Sequence, residues 1–596
     1  MENKIVGKTF VEKVFGAPRG RIVFEKPDIV LTHDNTASIF KTFEKMGGRH
    51  VADPDQLLIV LDHNAPPTDA KLATQYKLIR DIVEKMGVRM FHDVGDGICH
   101  QIMSYYARPG MIIAGSDSHT CTAGAFNAMA VGIDRTEAAG LWKRGETWFR
   151  VPETLKVNLH NRLRDYVYAK DLSLWIIGMI SSSGANYKSI EFHGDGVNTL
   201  SISDRMTIAN LASEMGAKNA VFPPDQVLAD FLGSKMNEGI WADGDAEYSK
   251  VIDIDLEEIF PLVAVPHQVD NVKSVYEVTG KKLNQALIGT CTNGRLEDLR
   301  IAAEILKGKK IPRGLQLLIV PASKEIYMQA IEEGIISKLI SAGACILTAS
   351  CGPCLGTGQG IPADGDIVIS TANRNFLGRM GNEKAEIYLA SPATVAFSAI
   401  KGEISDPRAT HDKEKFPFAT KQTTTNKIAR GDNRRINNVW NYKDIDNLNT
   451  DQMFAGNLTY QILSSDAKAI IPHLLAGFDE SFNKNVQRGD VIFAGENFGC
   501  GSSREHPAVG LAFIGVKAII VRSVNRIFYR SAVNQGLPII ILPKAVDTYQ
   551  PRDNVTVDFE NGLLKVGEIL INFGSLPRQL VDIFKAKGLI NYLKNH

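Results

Sequence analysis

Short apolar runs typical of buried strands alternate with amphipathic helical stretches over the first 400 residues. The runs at residues 57–61, 111–114, 286–289 and 315–320 are rich in aliphatic side chains and have few polar interruptions. Residues 70–86 instead repeat apolar positions at the spacing of a helix. This alternation predicts an α/β fold with largely parallel sheets, whose strands are buried on both faces.

The polarity of the chain changes between about residues 401 and 440. This segment contains DPRATHDKEK, KQTTTNK and RGDNRRINN, which are polar or charged and carry few strand or helix signals. It predicts a polar linker after a core of about three α/β subdomains at residues 1–400. Residues 441–596 then predict a smaller α/β domain, with strands at 491–494, 518–521 and 538–542 and a hairpin within 555–571.

Composition and charge narrow the class of protein. The 596 residues are 44% hydrophobic and 22% charged, which excludes a mainly disordered chain. The 67 basic and 67 acidic residues cancel, so no overall field attracts nucleic acid or anionic lipid. No apolar run reaches the roughly 18 residues that span a bilayer, and the first ten residues lack the apolar segment of a signal peptide. A cytoplasmic protein is expected.

The cysteines are the first candidates for chemistry. Seven is an odd number in a chain without an export signal, so a disulfide framework is not expected. Cys351 and Cys354 form a Cys-x-x-Cys in SCGPCLG, and Cys291 lies in IGTCTNGR; both loops follow predicted strands. Three such thiols can converge on one metal centre, while the pair alone also fits a redox dithiol or half of a zinc site. The other four cysteines are expected to be small buried side chains.

Four short stretches combine histidine with carboxylates on strand ends or glycine loops. They contribute Asp62 and His63, His100, Asp117 and His119, and Glu191 with His193. A carboxylate that fixes the tautomer and pKa of a histidine allows it to donate or accept a proton. For any single stretch the alternative is a purely structural hydrogen bond.

Two further stretches suit anion binding. NRNFLGR places two arginines and Asn373 on a tight turn, which fits a carboxylate or phosphate. AGENFGCGSSREHP leads into a helical run at 508–513, so its serines and glycines can present backbone N–H groups beside Arg504. The alternatives are a solvated surface turn for the first stretch and helix capping by serine for the second.

Taken in order, GSDSHT, IGTCTNGR, SCGPCLG, NRNFLGR and GCGSSREH closely resemble the motifs of the aconitase family of iron–sulfur hydro-lyases. The resemblance covers nearly the whole chain. It implies an aconitase-like core followed by a C-terminal swivel domain. The DHN, GDGICHQ and TWFRVPET segments resemble the branch of 3-isopropylmalate dehydratase and homoaconitase, in which large and small parts are usually separate subunits. Here the two parts appear fused in one chain, which is consistent with a monomer.

The resemblance implies an iron–sulfur cofactor. By motif, a [4Fe-4S] cluster would leave one iron open to the substrate hydroxyl, a carboxylate and water. The implied ligands of the cluster are Cys291, Cys351 and Cys354.

The resemblance also assigns roles to the acid–base and polar residues. Ser502 is implied as the base that takes a proton from carbon, and His63, partnered by Asp62, as the acid that protonates the leaving hydroxyl. The other implied pairs are His100 with Asp117 and His119 with Glu191. The implied substrate and pocket contacts are His33, Ser118, Asn373, Arg374, Arg379, Thr450, Asp451, Ser503 and Arg504.

The segment at residues 455–478 bears on the substrate. In aconitase-like and homoaconitase-like members an arginine here meets an extra carboxylate, whereas this segment contains none. Leu458, Tyr460 and Ile462 are therefore expected to surround an alkyl group, because burying a carboxylate without a cation is costly. The prediction is 3-isopropylmalate or a related alkylmalate. Lys468 or a core residue supplying the charge would favour citrate or homocitrate.

Two rival classes remain at this point. A cluster-free form that binds RNA as a regulator is disfavoured by the zero net charge. The intact serine and histidine set also disfavours it. A structural zinc or dithiol protein would show stoichiometric zinc or a reversible thiol titration, without the visible absorbance of a cluster.

Overall fold

The computed structural model describes residues 7–235, 239–408, 413–418, 434–459, 461, 462, 464, 466–501, 504–574 and 578–595. Six sheets and the helices around them form a mixed α/β fold, which confirms the predicted fold class. No helix within these ranges is long and apolar enough to cross a membrane. The α-helices are Phe10–Val14, Thr36–Lys45, Ala70–Met86, Cys99–Tyr106, Arg135–Arg144, Ala169–Ile180, Ile202–Leu211, Gln226–Leu232, Val275–Val278, Leu296–Leu306, Lys324–Glu332, Ile335–Ala342, Pro392–Lys401, Thr450–Met453, Ala467–Ile470, Phe482–Asn485, His506–Ile514, Arg526–Asn534, Pro543–Thr548, Arg578–Lys585 and Leu589–Asn595.

The first large sheet is parallel and carries the histidine motifs. Its strands lie in the spatial order Met90–His92, Leu57–Val60, Ile29–Thr32, Ile112–Gly115, Met129–Gly132. The central strand, Ile29–Thr32, comes first in the sequence. The next two strands lie on one side of it and the last two on the other. The loops after Ile29–Thr32 and Ile112–Gly115 therefore diverge, and open α/β sheets bind ligands in the crevice at this kind of switch point.

A seven-stranded sheet carries the cysteine motifs. Its spatial order is Val272–Ser274, Leu262–Ala264, Glu386–Ala390, Ile367–Ser370, Gln285–Gly289, Gln316–Val320, Ala344–Ile346. The first two strands pair antiparallel and the last five are parallel. This sheet also has a switch point, between Gln285–Gly289 and Ile367–Ser370, because the chain reverses its direction of growth there.

Two smaller sheets complete the core. A parallel sheet has the order Asn219–Val221, Ser189–His193, Thr154–His160, Lys250–Asp255. Ile22–Glu25 pairs antiparallel with Thr147–Arg150. The faces of these sheets are covered by continuous apolar clusters, such as the one in which Trp175, Phe192 and Phe222 are buried.

The C-terminal part has its own sheet and its own apolar core. The strands Arg435–Ile436, Val439–Tyr442, Val491–Ala494, Ala518–Val521 and Ile539–Ile541 lie in that order, and all but the first are parallel. The predicted linker therefore overlaps this sheet, because Val439 and Trp440 at its end are fully buried. The predicted hairpin is a three-stranded antiparallel sheet of Val555–Asp558, Leu563–Val566 and Ile569–Asn572.

The helix Arg526–Asn534 of the C-terminal part packs directly against the core. Arg526 donates to the carbonyl oxygens of Ser118, at 3.1 Å, and Gly132, at 3.3 Å. Arg530 forms a buried ion pair with Glu137 and lies over the Trp148 ring, 3.7 Å from its centroid. Glu505, directly before the helix His506–Ile514, makes a further contact with the core, because its Oε1 accepts the backbone N–H of Thr136.

Candidate active site

The loops at both switch points open onto one buried cavity of about 70 Å³, which we call the inner cavity. The residues lining it include most of the predicted site: His33, Asp62, His63, His100, Asp117, Ser118, His119, Cys291, Cys351, Cys354, Asn373, Arg374, Arg379 and Arg504. A second cavity of about 220 Å³, the outer cavity, shares Leu355 and Arg374 with it and lies between the core and the C-terminal part.

Asp62 and His63 follow the strand Leu57–Val60 and form a buried pair. Nδ1 of His63 lies 2.7 Å from Oδ1 of Asp62, whose other oxygen accepts the backbone N–H of Cys99 at 2.7 Å. Burial opposes the charge on both side chains. The neighbouring His63 nevertheless lowers the pKa of Asp62, and Asp62, Cys351 and Asp117 together raise the pKa of His63 well above its usual value. Asp62 therefore favours the protonated form of the His63 ring.

Asp117 is a carboxylate shared by three histidines. Its Oδ1 lies 2.8 Å from Nε2 of His100 and accepts the backbone N–H of His119 at 2.8 Å, while its Oδ2 lies 3.4 Å from Nε2 of His63. Burial raises the pKa of Asp117, but the hydrogen bonds from His100 and His119 outweigh this and hold the pKa well below its usual value. Asp117 therefore stays ionised and links the histidines.

The predicted pairing of His119 with Glu191 is wrong. Nε2 of His119 lies 2.9 Å from Oε1 of Glu214, in the turn that ends the helix Ile202–Leu211. Glu191 lies on the strand Ser189–His193 and points to the other side, where it accepts the backbone N–H of Phe10 at 2.7 Å and the hydroxyl of Tyr248 at 2.9 Å. Glu191 does not line the inner cavity; its contacts hold the N-terminal helix.

Glu214 is absent from the sequence-based predictions because no histidine lies beside it in the sequence. Its contact with His119 joins residues 95 positions apart. The same carboxylate accepts Nε of Arg374 at 3.0 Å, and Arg374 also donates to the Ser118 hydroxyl at 3.0 Å. Glu214 therefore orients both a histidine and an arginine of the inner cavity.

The three predicted thiols line the inner cavity together. Cys291 follows the strand Gln285–Gly289, and Cys354 lies in the short helix Gly352–Leu355. Two amides donate to Sγ of Cys291, Nδ2 of Asn373 at 3.3 Å and Nδ2 of Asn210 at 3.4 Å, and Nη2 of Arg379 lies 3.7 Å from Sγ of Cys354. Burial raises the pKa of Cys291 to about 11. Donors around sulfur favour the thiolate that a metal requires.

The remaining predicted residues fall into three groups. His33 stacks on His63 with ring centroids 3.9 Å apart, and Arg504 pairs with Asp451 at 2.7 Å between the inner and outer cavities. Thr450 is buried and its backbone N–H binds the carbonyl of Cys500, so it lies behind the cavity wall. Ser502 and Ser503 lie outside the described residues, as does Tyr460.

Besides Asn35 and Thr290, which adjoin predicted motif residues, two polar residues of the inner cavity are absent from the sequence-based predictions. Arg135 begins the helix Arg135–Arg144, and Thr459 follows the turn Gly456–Leu458 in the C-terminal part. Both side chains line the cavity and are 8% exposed. Neither stands in a motif with another chemical residue, so only the folded chain reveals their position.

Known families match the chain over most of its length. The model of the aconitase family (aconitate hydratase) matches residues 3–279 and 272–402, and the model of the aconitase C-terminal domain matches residues 414–544. The class of protein defined by these matches and by this site is an enzyme of the hydro-lyase class. The chain belongs to the aconitase family.

Individual relatives match different shares of the chain. The 3-isopropylmalate dehydratase large subunit 1 of Methanopyrus kandleri is 43% identical over 415 residues, covering 68% of this chain and 99% of that protein. The probable methanogen homoaconitase large subunit of Methanosarcina mazei is 46% identical over 387 residues, 64% of this chain and 98% of that protein. A crystal structure of 3-isopropylmalate dehydratase from Methanocaldococcus jannaschii is 38% identical, with a TM-score of 0.23, over 25% of this chain and 88% of that chain.

Proposed function

We propose that the chain is a [4Fe-4S] hydro-lyase that moves a hydroxyl group between adjacent carbons of a malate-type hydroxy acid. The observation that carries this proposal is that three thiols line the same cavity as His63, whose ring is held by Asp62 at 2.7 Å. An acid facing metal ligands across a small cavity suits the departure of a poor leaving group.

The donor set fits an iron–sulfur cluster with an open corner. Thiolates are the usual ligands of such clusters, and no fourth cysteine lines the inner cavity within the described residues. Hydrogen bonds to the sulfurs from Asn210, Asn373 and Arg379 are the contacts that tune such a centre. When bound, the cluster supplies a Lewis-acidic iron for the substrate hydroxyl and a carboxylate.

The chain's own residues supply proton transfer and orientation. His63 donates a proton to the departing hydroxyl, and Asp62 fixes its ring through Nδ1. Arg379 and Arg504 meet the carboxylates and the charge that develops beside them when a proton leaves carbon. The implied base is Ser502, which the sequence places two residues before Arg504.

For the substrate we propose 3-isopropylmalate or a related alkylmalate. The relatives that are large subunits of 3-isopropylmalate dehydratase support this choice, and Ile98 and Leu355 offer apolar surface in the inner cavity. Leu458 and Ile462, however, pack on the apolar core of the C-terminal part. One observation favours citrate or homocitrate as the second candidate. Arg135, which belongs to the core, lines the inner cavity and supplies the arginine that the segment at residues 455–478 lacks.

We also propose that the chain unites the parts that relatives carry as separate subunits, since both family models match it. The fused arrangement is consistent with a monomer in the cytoplasm that acts on small molecules, with no role for nucleic acid.

The test is a substrate panel for the anaerobically reconstituted protein, read at the ultraviolet band of the unsaturated intermediate. 3-Isopropylmalate, citramalate, dimethylmalate, citrate and homocitrate form the panel. Turnover of an alkylmalate with little turnover of tricarboxylates is expected. A higher kcat/KM for citrate or homocitrate would select the second candidate, and turnover of none of these acids would contradict the proposed function.

A further inference from the structure

Asp34 lies directly behind the Asp62–His63 pair, outside the cavity lining. It follows the strand Ile29–Thr32, is 1% exposed, and faces the turn that follows the neighbouring strand Leu57–Val60. Its Oδ1 accepts the backbone N–H groups of Asp62 at 3.0 Å and His63 at 3.2 Å. Its Oδ2 accepts the backbone N–H of Asn64 at 2.8 Å and the Tyr76 hydroxyl at 2.5 Å.

Three consecutive N–H groups thus converge on one carboxylate. These N–H groups belong to the turn after the strand Leu57–Val60, so they do not form the hydrogen bonds that join strands of the sheet. Nδ2 of Asn64 adds a fifth donor at 3.3 Å. A carboxylate has about four lone-pair directions, so these donors occupy the sites that a metal ion would need.

The five contacts of Asp34 are those of a hydrogen-bond acceptor. Four of the partners are N–H groups, which can only donate, and the Tyr76 hydroxyl is placed to donate as well. Burial and the neighbouring Asp62 raise the pKa of Asp34, and His63, Tyr76 and Asn64 oppose that rise. An amide in its place would turn one acceptor into a donor and leave buried N–H groups without partners.

The position of the His63 ring depends on this turn. Asp34 fixes the backbone of Asp62 and His63, and the side chains of these two residues then meet at 2.7 Å. The ring also lies 3.4 Å from Asp117 and stacks on His33. A small rotation of the turn would therefore move the imidazole relative to Asp62 and to the cavity together, and proton transfer is sensitive to such displacements.

We propose that Asp34 is a positioning residue for proton transfer by His63. This inference rests on the proposed function and adds a residue to it. Asp34 acts through the three N–H groups of the turn at residues 62–64, and Tyr76, from the helix Ala70–Met86, holds Asp34 from behind.

A double-mutant cycle with His63 tests the proposal. In the wild-type background Asp34→Asn should lower kcat by about 10- to 100-fold with KM changed by less than about twofold, because the arginines of the cavity do not contact Asp34. In the His63→Asn background the same change should lower kcat by less than about threefold, since there is no imidazole left to position.

Asp479→Asn is the matched control. Asp479 is also a buried carboxylate that holds a turn and accepts a tyrosine hydroxyl, from Tyr442 at 2.8 Å, but it lies in the C-terminal part. It should lower the unfolding temperature as Asp34→Asn does, with kcat nearly unchanged. Tyr76→Phe, which removes one donor and no acceptor, should lower kcat less than Asp34→Asn.

The outcomes separate this inference from the proposed function. Equal losses from Asp34→Asn in both backgrounds would overturn the positioning role, even with an active wild-type enzyme. An Asp34→Asn protein with wild-type kcat would do the same. Absence of hydro-lyase activity in the wild type would instead count against the proposed function itself. Should Asp34→Asn fail to fold, Tyr76→Phe replaces it in the double-mutant cycle, in the wild-type and His63→Asn backgrounds.

Discussion

Oε1 of Glu214 lies 2.9 Å from Nε2 of His119 and 2.8 Å from Nε of Arg374. Burial disfavours a charge here, but Arg374 and His119 stabilise the carboxylate and lower its pKa to about 2. Glu214 therefore stays ionised and fixes two cavity residues that approach it from different loops. Glu214 therefore lies behind His119 and Arg374 and holds them in position.

We expect Glu214→Gln to lower kcat/KM by about 10- to 100-fold, because the amide cannot accept from both His119 and Arg374 with the strength of a carboxylate. Glu191→Gln is the matched control and should retain wild-type kcat/KM while lowering the unfolding temperature through the contacts to Phe10 and Tyr248. Steady-state kinetics of both variants decide the matter. Loss of activity in the Glu191 variant alone would restore the pairing predicted from the sequence.

Local patterns predicted the elements well. The helix at residues 70–86 and the strands at 491–494 and 518–521 have the predicted bounds, because apolar periodicity and flanking turn residues determine them locally. The three cysteines could be grouped because each follows a strand of a parallel sheet, and those strand ends meet at one edge.

Residues that reach the site from other elements could not be found in this way. Glu214 and Arg135 reach the site from parts of the sequence without a cysteine or histidine motif. Asp34 stands beside His33, but its contacts with the turn at 62–64 join residues 28 to 30 positions apart. The segment at 455–478 was expected to line the site, but its residues Leu458 and Ile462 pack on the apolar core of the C-terminal part.

We expect Arg135→Gln to raise KM for the hydroxy acid at least about tenfold, with a smaller effect on kcat. A buried guanidinium at the cavity wall can donate charge-assisted hydrogen bonds to a substrate carboxylate, worth about 1.5–3 kcal/mol. The control is Arg144→Gln, which removes an exposed arginine from the other end of the same helix. An unchanged KM in the Arg135 variant would remove this residue from the substrate site.

The buried Arg530–Glu137 pair should anchor the C-terminal part to the core. Arg530→Met leaves Glu137 buried without its cation, which costs about 3–5 kcal/mol. We expect a lower unfolding temperature and faster limited proteolysis between residues 401 and 440. Arg300→Met removes an exposed pair with Glu333 and should cost about 1 kcal/mol or less. Equal stability of the two variants would contradict an anchoring role for Arg530.

His506 should make the metal-free protein sensitive to acid. The ring stacks on Phe454 with centroids 4.6 Å apart, and burial and nearby Arg135 lower its pKa to about 3. Between the unfolded value of 6.5 and about 3, the unfolded chain binds the extra proton, so this contribution to the free energy of unfolding falls as pH falls.

By pH 5 the loss attributable to His506 is about 2 kcal/mol. Urea unfolding of the metal-free wild type and of His506→Gln at pH 7, 6 and 5 measures it. The variant should lose less stability over this range, and an identical pH dependence of the two proteins would show that folding does not lower the pKa of His506.

The most direct test of the account is an iron and sulfide assay combined with turnover of 3-isopropylmalate, on anaerobically reconstituted wild type, Cys351→Ser and Ser502→Ala. We predict about four irons and turnover in the wild type, neither in Cys351→Ser, and the cluster without turnover in Ser502→Ala. A wild-type chain that binds zinc in place of the cluster, or a Cys351→Ser protein that keeps full iron content and activity, would contradict it.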